Sequence, residues 1–86
     1  MNWVLHIDGK ALKQLANLPK VEAVRILATV EDMRTDPFAG DIIKMRGDKG
    51  WRRRVGNYRV KYSLYPAERI INVYAIDRRT TTTYKK

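Results

Sequence analysis

Trp51-Arg52-Arg53-Arg54-Val55-Gly56-Asn57-Tyr58-Arg59-Val60 is the stretch that decides the fold of this chain. Gly56-Asn57 is a two-residue hairpin signal, because tight hairpin turns need the positive φ that glycine adopts freely. The flanks therefore run as paired strands, Trp51 to Val55 and Tyr58 to Tyr65. On the second strand Tyr58, Val60, Tyr62 and Leu64 face one way, and Arg59, Lys61, Ser63 and Tyr65 the other. On the first, Arg52 and Arg54 share a face and Arg53 takes the opposite one. Arg59 lies on the partner strand, close to the first pair. Trp51 and Tyr58 read as core.

Downstream, Pro66 to Glu68 is a turn, and Arg69 to Ile76 is a strand with apolar residues on both faces, hence central. Upstream, Ile42, Ile43 and Met45 form a short extended piece, and Asp48-Lys49-Gly50 reads as a turn. The N-terminal half is different. Asn2 to Ile7 alternates, with Trp3, Leu5 and Ile7 on one side and Val4 and His6 on the other. Asp8 then offers its carboxylate as a helix N-cap. Lys10 to Asn17 carries Ala11, Leu12, Leu15 and Ala16 at helical spacing. Pro19 suits the first turn of a second helix running to about Arg34. There Val21, Val24, Leu27, Ala28, Val30 and Met33 mostly share a face, with Ile26 less well aligned. Asp36-Pro37 is expected to end it. The expected fold is a single α+β domain over residues 1–86. It has an N-terminal strand, a two-helix hairpin and an antiparallel β-meander, with both helices on one sheet face and much of the arginine on the other.

Charge follows the same division. The chain carries +9 over 86 residues. From Met1 to Ile43 five basic residues meet six acidic ones, whereas from Lys44 to Lys86 thirteen basic residues meet three acidic ones. A helical half near −1 joined to a sheet half of +10 points to a polyanionic partner, usually nucleic acid. Absent cysteines exclude a disulfide scaffold, thiolate metal sites and a cysteine nucleophile. Ser63 and His6 lie on separate strands and give a serine triad little support. No His or carboxylate cluster suggests a metal, and Gly47-Asp48-Lys49-Gly50 lacks the spacing of a phosphate loop. His6 reads as a hydrogen-bonded or exposed histidine. No cofactor and no metal are expected. Without a basic leader or a membrane-length apolar run, the expected location is cytoplasmic.

What remains is arginine with aromatics between. Guanidiniums bind phosphate bidentately and hold their charge at neutral pH. Arg52, Arg54 and Arg59 on one small surface repel each other without an anion. Arg78-Arg79 after the last strand, with Tyr84 beyond, could complete the pocket. Lys44, Arg46, Arg53 and Lys61 are further candidates for RNA contact.

These motifs resemble the RelE/ParE toxin superfamily, nearer its RelE-like mRNA interferase branch, over nearly the whole chain. The resemblance rests on Ala11-Leu12-Lys13-Gln14-Leu15, on Ile43-Lys44-Met45-Arg46-Gly47, on Trp51 to Val60, and on Ile76-Asp77-Arg78-Arg79 with Tyr84. It implies a compact sheet like that of microbial ribonucleases, with helices on one face. It also implies the toxin of a type II toxin–antitoxin system, in a hetero-oligomer with a cognate antitoxin. RelE-like members enter the 30S A site of the ribosome and cut mRNA there, the 2′-hydroxyl attacking the adjacent phosphate to leave a 2′,3′-cyclic phosphate, independently of metal. By this resemblance Arg52 and Arg54 hold and activate the scissile phosphate. Arg59 stabilises the pentavalent transition state, Arg78 or Arg79 supplies the basic residue after the last strand, and Tyr84 stacks on a base. The best-known members carry lysine where this chain has Arg52 and Arg54. Arginine is a poorer proton acceptor still, so the protein would supply charge rather than base catalysis. The alternatives are a ParE-like toxin that inhibits DNA gyrase without cutting RNA, and an inactive homologue that only docks its antitoxin.

Overall fold

The computed structural model describes residues 2–45 and 50–78. The sequence candidates Arg46, Arg79 and Tyr84 lie outside the described residues, as does most of the Asp48-Lys49-Gly50 turn. The elements are β1 (Val4–Ile7), α1 (Gly9–Ala16), α2 (Lys20–Asp32), β2 (Ile42–Lys44), β3 (Trp51–Val55), β4 (Tyr58–Tyr65) and β5 (Ile70–Arg78). They form one five-stranded sheet in the order β1-β5-β4-β3-β2. β2 to β5 are an antiparallel meander, and β1 returns to pair in parallel with β5. This is the expected α+β architecture, with β5 inside the sheet as its two apolar faces require.

The hairpin forms where its turn chemistry places it. Gly56 takes φ +59° at the first central position, and Val55 pairs with Tyr58. The inward set of β3 to β5 then meets the helices: Val55, Tyr58, Val60, Tyr62, Ile71, Val73 and Ile76 pack with Ala11 and Leu15 of α1 and with Ile26 and Val30 of α2. Among the described residues no helix is long and apolar enough to cross a membrane.

Four local expectations change. Asp8 sits at the N-cap of α1 but makes no side-chain cap hydrogen bond. Its carboxylate lies 3.2 Å from His6 Nε2 instead. Pro19 is the N-cap of α2 rather than a first-turn residue. α2 ends at Asp32, with Met33 as C-cap, before Asp36-Pro37 is reached. Finally, Ile26, Val30 and Met33 are the residues of this segment buried in the core, each at 1% exposure or less. Val21 and Val24 stand 78% and 57% exposed. The segment carries two apolar stripes, and the sheet takes the one through Ile26.

One connection positions the site. Between α2 and β2 the chain crosses the end of the sheet and is pinned there. The Tyr62 hydroxyl donates to the Pro37 carbonyl at 2.9 Å in a buried bond. Phe38 packs edge-on against Trp3 and Trp51, with ring centres 6.2 and 5.6 Å away. Arg53 donates to the Ala39 carbonyl at 3.1 Å. Gly40 has φ +89°, and a Cβ there would collide with the Arg53 guanidinium. Only glycine suits both demands.

Candidate functional site

Strand register assembles the site. Arg54 pairs with Arg59 and Arg52 with Lys61 across β3 and β4. All four side chains therefore project from the sheet face away from the helices. β2 brings Ile43 opposite Arg52, and the pinned connection delivers Asp41 beside Arg54. Asp41, Ile43, Arg52, Arg54 and Arg59 line a cavity of about 210 Å³, room for several water molecules.

The charges in and beside this cavity are unevenly matched. Arg54 Nε donates to Asp41 Oδ2 at 2.9 Å. Lys61 Nζ lies 2.7 Å from Asp77 Oδ2. Arg52 and Arg59 have no ion-pair partner among the described residues. Four cations against two carboxylates leave a surplus of two positive charges, carried by two half-buried guanidiniums. These sit on neighbouring strands, diagonal to each other. Such a pair can grip one oxyanion from two directions.

Of the residues singled out by sequence, the structure brings together Arg52, Arg54, Arg59 and Lys61. It does not bring the others to them. Arg53 lies on the helix-facing side and is committed to the Ala39 carbonyl. Lys44 pairs with Trp51 and sits over its ring, 5.5 Å from the centre, on that same side. Arg78 pairs with Tyr58 and lines a separate groove with Gln14, Asn17, Leu18, Pro19 and Ile76. The reason is a β-bulge between Lys61 and Tyr62, where the pairing passes from Tyr62–Val73 to Lys61–Ala75. The extra residue, Tyr74, reverses the alternation, so that Asp77, opposite Arg59, rather than Arg78 comes to the cationic face.

Sequence reasoning missed Asp41, Ile43 and Asp77. Asp77 follows from the bulge, which leaves no mark in the alternation of either strand alone. Asp41 sits directly after Gly40, and the glycine marks a sharp turn there. The register that aims Asp41 at Arg54 is set by long-range pairing.

The fold, a two-helix layer backing a five-stranded sheet whose open face is cationic, is that of the RelE toxins. The chain belongs to the RelE toxin family: it is 31% identical over 83 residues to RelE1 of Methanocaldococcus jannaschii, a protein named as a toxin, covering 92% of each chain. Among solved structures it is similar to the RelE chain of the RelE–RelB complex from Pyrococcus horikoshii. That match has a TM-score of 0.83 and 28% identity, and covers 94% of this chain and 99% of that one. The RelBE2 toxin–antitoxin complex of Mycobacterium tuberculosis shares the fold at a TM-score of 0.84 with 17% identity, over 92% of this chain and all of that one. No protein-family model matches the chain.

Proposed function

We propose that this protein is the toxin of a type II toxin–antitoxin system and cuts mRNA in the ribosomal A site. The observation that carries this reading is the cavity where Arg52 and Arg59, unmatched by any described carboxylate, flank the neutralised Arg54. In the proposed reaction the 2′-hydroxyl oxygen of one nucleotide attacks the adjacent phosphorus and the P–O5′ bond breaks, leaving a 2′,3′-cyclic phosphate and a 5′-hydroxyl. The 2′-hydroxyl proton passes to water and the departing 5′-oxygen takes one from water. A phosphodiester carries one negative charge, and the pentavalent phosphorane carries more on its equatorial oxygens. Arg52 and Arg59 hold the phosphate, and their fixed charges match it better as that negative charge grows. One well-placed donor of this kind contributes about 2.7–4 kcal/mol to the barrier. In this reading the ribosome supplies the alignment of hydroxyl, phosphorus and leaving oxygen, an effect that reaches about 7–11 kcal/mol for well-oriented reactants. With Arg78 turned to the helix side, the role after the last strand falls to Arg79, and Tyr84 is the stacking residue.

The antitoxin is assigned to the helical layer. Val21, Val24 and Leu27 follow one another at three-residue spacing on α2, all exposed. This apolar stripe suits an amphipathic partner helix. The RelE chain of the Pyrococcus horikoshii structure is itself in complex with RelB, in keeping with such a partner. Primer extension on mRNA after induction without antitoxin tests the activity. Cuts at codons occupying the A site are expected. Intact mRNA together with inhibited DNA gyrase would identify a ParE-like poison instead.

A further inference from the structure

Asp41 lines the cavity, yet the reaction proposed above does not use it. Its carboxylate bonds to Arg54 Nε, and the ion pair is about half exposed. An isolated pair of that exposure contributes little to stability. Its placement is another matter. Arg54 N donates to the Asp41 carbonyl at 3.1 Å, so the two residues are also locked together through their backbones. The preceding residues are fixed by the bonds to Ala39 and Pro37 and by the conformation of Gly40. The carboxylate is thus delivered to one edge of one guanidinium by a rigid connection.

A guanidinium is a planar fork of five N–H donors that can receive an oxyanion along its Nε side or at its terminal nitrogens. Asp41 takes Nε. We propose that Asp41 is a positioning and specificity-determining residue, which turns the terminal nitrogens of Arg54 toward the scissile phosphate and offsets part of the charge of Arg54 throughout the reaction, so that the aligned donors of Arg54 count most where negative charge is greatest, on the phosphorane. The inference rests on the RNA-cleaving reading of the cavity. Ground-state RNA is held chiefly by Arg52 and Arg59, and Arg54 contributes mainly as charge accumulates on phosphorus. Interactions that strengthen only in the transition state raise kcat, while uniform binding lowers KM alone.

Removing the carboxylate therefore has two effects of opposite value. An unmasked Arg54 binds ground-state RNA more tightly, and a loosened Arg54 stabilises the transition state less well. The test measures kcat and KM on ribosomes programmed with a cleavable A-site codon, for the wild type, Asp41→Asn, Asp41→Ala, Asp41→Glu and an Arg52→Ala control. In Asp41→Ala, KM is expected to fall about threefold and kcat about tenfold or more. Asp41→Asn, which keeps an acceptor but no charge, shows the fall in KM with a smaller loss of kcat. Asp41→Glu recovers most of both. Thermal unfolding of each variant verifies that the fold is kept, and the near-isosteric Asp41→Asn carries the test if Asp41→Ala does not fold. Unchanged or raised kcat in the carboxylate-free variants, or a raised KM, overturns the inference. Cleavage abolished by Arg52→Ala but indifferent to Asp41 defeats this inference alone. A wild type that leaves A-site mRNA intact defeats the cleavage reading and this inference with it.

Discussion

At the scale of single residues, four cations of like charge share one face of a small sheet, and the structure gives them unequal work. Arg54 and Lys61 are matched by Asp41 and Asp77, and Arg52 and Arg59 have no carboxylate partner among the described residues. Replacing either Arg52 or Arg59 by alanine is expected to slow cleavage by about 10²–10³-fold, the loss typical of one strong charge-stabilising donor. Lys44→Ala, on the other face, is expected to leave cleavage within about twofold of wild type. Arg78→Ala is expected to do the same, whereas Arg79→Ala is expected to be strongly defective. All five variants can be compared by quantitative primer extension. Arg52, Arg54, Arg59 and Lys61 were legible in sequence because alternation along a hairpin is purely local. Arg78 was not, since its side of the sheet depends on a bulge in the pairing of β4 with β5. Tyr62 gives a separate prediction. Burial pushes its hydroxyl up to about 12 from the usual 10.0, against the opposing pull of Arg53. The folded state keeps this proton while the unfolded chain loses it, so stability is full below about pH 10 and falls as pH rises toward 12. Tyr62→Phe should flatten that alkaline loss in urea titrations. At neutral pH it should cost about 1–3 kcal/mol, by leaving the buried Pro37 carbonyl without its donor.

At the scale of elements, the connection from α2 to β2 does more than its sequence suggests. Asp36-Pro37 reads as a helix stop, yet the helix has already ended at Asp32. What Pro37 provides is a buried carbonyl for Tyr62, beginning the rigid path that ends at Asp41. Gly40→Ala would force an unfavourable φ and push into Arg53. It should cost about 1–3 kcal/mol of stability, read as a lower denaturant midpoint, and should reduce cleavage beyond that loss because Asp41 is displaced. α2 shows the opposite kind of surprise. Its period is plainly helical, but periodicity alone could not choose between two apolar stripes. The sheet took Ile26, Val30 and Met33. The stripe left exposed gives a prediction for the antitoxin: Val24→Asp should leave the fold and mRNA cleavage near wild type while weakening neutralisation at least about tenfold in a titration.

At the scale of the whole molecule, the division into a near-neutral helical half and a strongly basic sheet half survives in three dimensions. The sheet presents cations to solvent, and the helices present an apolar stripe. Element order and strand register within the hairpin were readable because they depend on neighbours in sequence. The parallel pairing of β1 with β5 and the convergence of Asp41 on Arg54 were not, because both depend on long-range register. One chain thus has two unlike faces, to which the proposed function assigns RNA on the sheet side and an antitoxin on the helical side. Binding to single-stranded RNA should weaken with salt by about 0.7 log units per log unit of salt for each phosphate held. That slope should shrink when Arg52 and Arg59 are both replaced by alanine. The most direct test of the central claim is primer extension on a translated mRNA, comparing wild type with the Arg52→Ala/Arg54→Ala/Arg59→Ala variant at equal folded protein. A-site cuts are expected with the wild type and none with the triple variant. Undiminished cuts with the triple variant would contradict that claim.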